Sequence, residues 1–268
     1  MKLDLAIERF LIYQETVNSK ETLRFYKSHL KCVNAYFKSM DCNKIVVPLV
    51  SAFILDQRKR NISNSTINKR VKALKDVLKY NGFENLEVAK LREQKKRFNY
   101  LTNEELSKLV NYVKISNLSV ENKLIIMLLI DTGIRRNELI HVELDNINFS
   151  NNSILLTCTK TKSDRVVYFK NYTKQLLLEY IQFDRKYLFN RTVNGVSALF
   201  QSINKDLKFK NLSPHVLRHT FATNCLNSGM PLPYLQNIMG HSDIKTTAIY
   251  IHCMDDVIKN SYNAINFY

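Results

Sequence analysis

The chain holds 268 residues, 45% hydrophobic and 24% charged, which suits an ordered globular protein of about two domains and excludes a disordered one. Five glycines and four prolines are too few for collagen-like, linker-dominated or turn-rich all-β architectures. Forty Lys and Arg against 24 Asp and Glu give a formal charge of +16, which points to a polyanionic partner, nucleic acid first.

The apolar run Leu124 to Ile130 is far short of the roughly 18 residues of a membrane span. Met1-Lys2-Leu3-Asp4 shows no apolar signal region, and no basic amphipathic helix or lipidation motif stands out. The expectation is a cytoplasmic protein with no membrane partner. Five scattered cysteines (Cys32, Cys42, Cys158, Cys225, Cys253) form no CxxC pair, so buried free thiols are expected rather than zinc sites or disulfides.

In chain order, Leu3, Ile7, Phe10 and Leu11 form the stripe of a first helix. Ser19 opens a second, to about Ser39. Pro48 starts a third, with Val50, Phe53 and Ile54 on one side. Ser63 to Ser65 offer caps for a fourth, Thr66 to Tyr80, closed by Asn81-Gly82. That helix carries Lys69, Arg70, Lys72, Lys75 and Lys79, a one-sign face read as a DNA contact rather than merely a solvated surface. Residues 1–100 hold 21 basic and 10 acidic side chains, a net of +11. The expected division is a helical DNA-binding domain at 1–88, a basic linker at 89–100 and a second domain at 101–268 with a tail at 256–268. Lys95, Lys96 and Arg97 of the linker are candidate phosphate contacts.

Thr102 and Glu105 have the spacing of a capping box, and helices are expected at about 103–114 and 121–131. Ile154 to Thr159 and Val166 to Phe169 read as a small hairpin, after which helices resume near Asn171. The fold class is therefore mainly α with a small antiparallel hairpin.

The chemistry-bearing residues are individually ordinary. Arg135 and Glu138 are three apart, as in a surface ion pair. His215 and His219 have zinc-like spacing, but the glutamate of HExxH is missing and no third ligand is apparent. Tyr250 is one of 14 tyrosines.

Their order is what matters. Arg135 in TGIRRNEL, a hairpin lysine, His215-xx-Arg218, Gly240-His241 and Tyr250 together resemble the tyrosine recombinase (phage integrase) family, in its short, two-domain, Xer-like form. The stretch SPHVLRHTFATNCLNSGMPLPYLQNIMGHSDIKTTAIYIH, Ser213 to His252, is similar to the family's C-terminal signature. The likeness is close from 101 to about 255 and limited to helical character and charge before that.

The resemblance implies a site-specific recombinase that cleaves and rejoins DNA through a 3′-phosphotyrosine. Arg135 and Arg218 then clamp the non-bridging oxygens, as planar guanidiniums suit. Tyr250 is the implied nucleophile, a phenol ionising far more readily than an aliphatic hydroxyl. Lys160 is the implied acid for the 5′-oxygen, favoured over Lys162 by the register before Asp164-Arg165-Val166. His215 shares proton handling at the nucleophile, His241 orients the phosphate, and Arg136 faces phosphate or solvent. No metal or cofactor is implied. The implied partners are a duplex recombination site, a homotetramer across two sites and an accessory or directionality protein. A type IB topoisomerase and a non-catalytic DNA-binding regulator are the competing readings; filling all six catalytic positions disfavours the latter.

Overall fold

The computed structural model describes all residues except 84–85, 94–98, 158–163, 182–184, 242, 251–258, 260–262 and 264–268. The chain divides into two compact units, Met1–Lys96 and Arg97–Tyr268.

The first unit packs four helices: α1 (Leu3–Val17), α2 (Lys20–Phe37), α3 (Val47–Lys59) and α4 (Asn64–Tyr80). Leu3, Ile7 and Phe10 of α1 bury against Leu30, Val33 and Phe37 of α2, Phe53 of α3 and Ile67, Leu74 and Val77 of α4. Each such side chain contributes about 1.5–3 kcal/mol by leaving water. Ser19 and Ser63 cap α2 and α4 by accepting from the amides of Thr22 and Thr66. Helix α4 starts two residues before the sequence-based expectation because Ser63 takes the cap. After it, residues 88–93 are held to the helix: Asn64 and Asn68 donate to the carbonyls of Arg92 and Leu91, and Lys75 to that of Val88.

The second unit is built on α6 (Val120–Thr132), whose residues Leu124 to Leu129 are all buried. A helix apolar on every side belongs in the centre. Around it stand α5 (Asn103–Ile115), α7 (Arg136–Leu139), α8 (Asn171–Tyr180), α9 (Val193–Leu207) and α10 (Pro214–Asn227). The expected capping box is present, Thr102 and Glu105 each accepting from the other's amide. Two further helices, α11 (Leu232–Met239) and α12 (Ile244–Ala248), follow.

The sheet has three antiparallel strands, β1 (Ile147–Asn148), β2 (Ser153–Leu156) and β3 (Arg165–Tyr168), in the order β1-β2-β3. The two-residue β1 has too short a pattern to be legible in sequence. Strand β2 ends at Leu156, with Thr157 already irregular, so it is shorter than the β-rich run suggested. In β3 Arg165 and Val167 point inward while Val166 and Tyr168 point out. Cys42 is a buried free thiol, whereas Cys32 and Cys225 are free but only half-buried; Cys158 and Cys253 lie outside the described residues.

Candidate active site

Helix α6 ends on Gly133, left-handed at φ +59°, where an added Cβ would sit 2.8 Å from Cγ of Phe221. Only glycine fits this turn. It reverses the chain so that Arg135 becomes the residue preceding α7, and it turns the Gly133 carbonyl toward α10.

Arg218 of α10 receives that carbonyl. Its Nη1 donates to the Gly133 carbonyl at 2.6 Å and its Nη2 to that of Met239 at 2.5 Å, with 5% of the residue exposed. Both acceptors lie at helix C-termini, where the macrodipole favours a cation. Burial first, then the charge of Arg135, pulls Arg218 down to about 9, which leaves it protonated at neutral pH. Arg218 Nη2 also lies 3.0 Å from Nε2 of His241. A guanidinium can only donate, so Nε2 is the bare nitrogen and Nδ1 donates to Thr247 Oγ1 at 2.9 Å. To donate to a phosphate from Nε2, His241 must first gain a proton or exchange tautomer.

Arg135 approaches the same helix end. Its Nη2 donates to the Gly240 carbonyl at 2.9 Å, and its Nη1 to Glu138 Oε1 at 2.9 Å. Glu138 Oε2 accepts from the Arg135 amide at 2.9 Å and from Arg165 Nη2 at 2.6 Å. Burial alone would raise the Glu138 carboxyl, but the Arg165 hydrogen bond and charge, followed by those of Arg135, hold it at about 2. Arg165 Nε in turn donates to the Ile238 carbonyl at 2.8 Å. Three successive carbonyls at the end of α11 thus receive three different arginines: Ile238 from Arg165, Met239 from Arg218 and Gly240 from Arg135.

His215 lies on the first turn of α10, exposed overall but with a partly desolvated ring; that desolvation first, then the charges of Arg136, Arg218 and Arg135, lowers its pKa. Tyr250 is 2% exposed among Ala222, Leu226, Leu235 and Met239. Its hydroxyl lies 2.8 Å from Nδ1 of His219, and its phenol is close enough to Arg218 to act on it electrostatically.

Arg135, His215, Arg218, His241 and Tyr250 of the sequence-predicted set therefore gather around one helix end. Lys160 and its alternative Lys162 lie outside the described residues, as do Lys95, Lys96 and Arg97. Arg136 donates to Ser197 Oγ of α9 at 2.5 Å. On α4, Lys69 is exposed, Lys72 pairs with Asp76 at 2.6 Å, and Arg70 turns inward to donate to Gln57. Burial, then the charges of Arg70 and Lys69, lowers the pKa of His29. Among the described residues no group of three His, Cys, Asp or Glu side chains is placed to hold a metal ion. None of the described helices is long and apolar enough to cross a membrane.

The sequence reading missed Glu138, Arg165 and His219 as parts of the site. Glu138 passed for half of a surface pair, and His219 was weighed only as a zinc ligand and set aside. A charged residue opening a β-rich segment was the one available sign for Arg165.

Comparison with known proteins bears on this geometry. Residues 99–256 match the phage integrase family model, and residues 7–82 match the phage integrase N-terminal SAM-like domain. The tyrosine recombinase XerA of Saccharolobus solfataricus is 39% identical over 166 residues, covering 59% of this chain and 53% of that protein. The tyrosine recombinase XerC of Lacticaseibacillus casei is 28% identical over 98% of this chain and 97% of its own. In fold, the chain is similar to the XerH site-specific recombinase bound to its difH substrate after cleavage, with a TM-score of 0.77 at 19% identity over 96% of this chain and 83% of that one. It is also similar to the Tn1549 transposon integrase in complex with circular intermediate DNA, at 0.76 and 18% over 97% and 98%.

Proposed function

The chain belongs to the phage integrase family, and on that premise we propose that it is a tyrosine-type site-specific recombinase that cuts duplex DNA through a 3′-phosphotyrosine. The observation that carries this reading is the convergence of Arg135, Arg218 and His241 on the C-terminal end of α11, with Tyr250 buried in the cluster that includes Met239 of that end.

The carbonyl bonds fix the plane of each guanidinium before a substrate arrives. Donors held still where charge will develop stabilise the transition state without reorganising at the moment of reaction. As the Tyr250 Oη–phosphorus bond forms, the phenol proton passes to His215, the bond from phosphorus to the 5′-oxygen breaks, and the departing oxygen takes a proton from Lys160. Arg135 and Arg218 receive the negative charge on the non-bridging oxygens. A second 5′-hydroxyl then attacks the phosphotyrosine and releases Tyr250, so bond energy is conserved and no nucleotide cofactor is called for.

The DNA contacts follow from charge, and the assembly and partners from the family resemblance. Lys69 and Lys72 of α4, together with Lys95, Lys96 and Arg97, contact backbone phosphates, and residues 89–100 join a core-binding domain (1–88) to the catalytic domain (101–268). The active assembly is a homotetramer on two recombination sites, with an accessory or directionality protein as a further partner. The protein works in the cytoplasm, where its DNA is.

A duplex nicked beside the cleavage position tests the reading, since the released fragment diffuses away and traps the covalent adduct. The wild-type chain should give a band resistant to SDS, and Tyr250→Phe should bind the duplex equally well and give none. An adduct with Tyr250→Phe would place the nucleophile elsewhere. Binding with no adduct from the wild-type chain would favour the regulator.

A further inference from the structure

The Tyr250 side chain is walled by hydrocarbon from α10 and α11, yet it carries a hydroxyl that is costly to bury without a partner. His219, one residue beyond Arg218 on α10, supplies that partner at 2.8 Å through Nδ1. The two rings lie 5.5 Å apart at 53°, so the contact is a directed hydrogen bond and not a stacking of faces.

The direction of this bond follows from acid strength. A phenol is a stronger acid than a neutral imidazole N–H, and an imidazole nitrogen is a better base than a phenol oxygen. Between neutral partners, the phenol therefore donates and Nδ1 accepts. The surroundings keep His219 neutral: burial first, then the charges of His215 and Arg218, bring it down to about 4. A doubly protonated ring could only push its Nδ1–H at the phenol.

We propose that His219 is a positioning residue for the cleavage step, its bare Nδ1 accepting from the Tyr250 hydroxyl and fixing the nucleophilic oxygen beside the arginine cluster. The inference rests on the reading of Tyr250 as the nucleophile and assigns a task to a residue outside the six catalytic roles. Without an acceptor at this point, the hydroxyl turns away from the line of attack, and about 1 Å of misplacement is enough to slow a reaction a hundredfold.

Two substitutions separate this role from packing. His219→Leu keeps bulk and removes the acceptor; His219→Asn loses bulk but places Oδ1 near the position of Nδ1. On saturating nicked duplex, His219→Leu should cleave about ten- to a hundredfold more slowly than wild type, with duplex affinity unchanged. His219→Asn should recover most of that loss. A packing role gives the opposite order, and either that order or equal rates for the two variants overturns the proposal. A cleavage rate for His219→Leu equal to wild type also overturns it.

Should His219→Leu fail to fold, seen as lost duplex binding, the wild-type full chain still decides the matter. The ¹⁵N resonance of His219 Nδ1 should be that of a bare, hydrogen-bonded nitrogen and should move in Tyr250→Phe. A protonated Nδ1, or a resonance that does not move, overturns the proposal. Adduct formation by Tyr250→Phe sinks the nucleophile assignment instead, which distinguishes the two failures.

Discussion

Arg165 and Arg135 hold the Glu138 carboxylate from two sides, with Arg165 Nη2 only 2.6 Å from Oε2 and 2% of its side chain exposed. Glu138 thereby ties the first residue of β3 to the turn that carries Arg135. Because the three groups lie close together and mostly out of water, losing one partner costs far more than a surface pair does.

Arg165→Leu should accordingly lower stability by about 3–5 kcal/mol, since it leaves Glu138 without its shortest contact and the Ile238 carbonyl without a donor. Arg165→Lys should recover little, as an ammonium cannot serve both acceptors with a planar fork. Thermal unfolding of the full chain measures both, and a midpoint for Arg165→Leu equal to wild type would show that the bridge contributes nothing.

Gly240 closes α11 at φ +60°, and a Cβ there would stand 2.8 Å from Nη1 of Arg165. Gly240→Ala combines left-handed strain of about 1–3 kcal/mol with a collision against a buried guanidinium. Its adduct yield should fall further than its duplex affinity, because the displaced backbone carries His241 and the carbonyl that orients Arg135. Equal losses in a gel-shift and an adduct assay would argue against this.

Acid should weaken the catalytic domain in two stages. The His219 pKa is depressed to about 4 from an ordinary 6.5, so between those values the unfolded chain binds a proton that the folded one does not. Stability is full above pH 6.5 on this account and falls as the pH drops toward 4. Glu138 sits at about 2 against an ordinary 4.5, so its contribution is full above pH 4.5 and drains away toward pH 2. The Glu138 stage amounts to on the order of 3 kcal/mol. Urea midpoints followed from pH 7 to pH 2.5 should show a continuous decline, with its lower part flattened in Glu138→Gln. If the slope of that variant below pH 4.5 matches wild type, another carboxylate carries the effect.

The general acid can be found by chemistry even though Lys160 and Lys162 lie outside the described residues. Replacing the bridging 5′-oxygen by sulfur makes the leaving group a thiolate, whose conjugate acid has a pKa of about 8.5 and which departs without a proton. Lys160→Ala should cleave such DNA nearly as fast as wild type while failing on ordinary DNA. Arg135→Ala and Arg218→Ala should gain little, since charge on the non-bridging oxygens still needs stabilising. Rescue of Lys162→Ala in place of Lys160→Ala would shift the assignment by two residues.

Lys69 and Arg70 are neighbours in sequence with opposite fates, one exposed and the other turned onto Gln57. Lys69→Ala should therefore reduce the slope of log affinity against log salt by about 0.9, the share of one phosphate contact. Arg70→Ala should leave the slope alone and lower the melting point of the first unit. A changed slope in Arg70→Ala would mean that this arginine swings out to reach DNA.

Helices were readable wherever a stripe and a cap coincided, as at Ser19, Ser63 and Thr102, because both signals are local. The basic face of α4 was readable too, but which of its basic residues stay outside was not, since that depends on Gln57 lying opposite Arg70. The same limit applied at the site. Motif order singled out Arg135, Arg218, His241 and Tyr250, while Arg165 and His219 act through partners 27 to 73 and 31 residues distant in sequence. No spacing rule reaches that far. The carbonyls of Ile238, Met239 and Gly240 are invisible to sequence altogether, being backbone that any residue would present.

Those three carbonyls also make the end of α11 a shared anchorage, since each guanidinium leans on a peptide bonded to the next one's support. A shift in one peptide tilts all three side chains together. Substitutions at Arg135, Arg165 and Arg218 should then combine non-additively, because the first to break the row removes much of what the others had to lose. On the proposed function, Arg135 and Arg218 are then aimed at a phosphate together, with Arg165 holding the row in place.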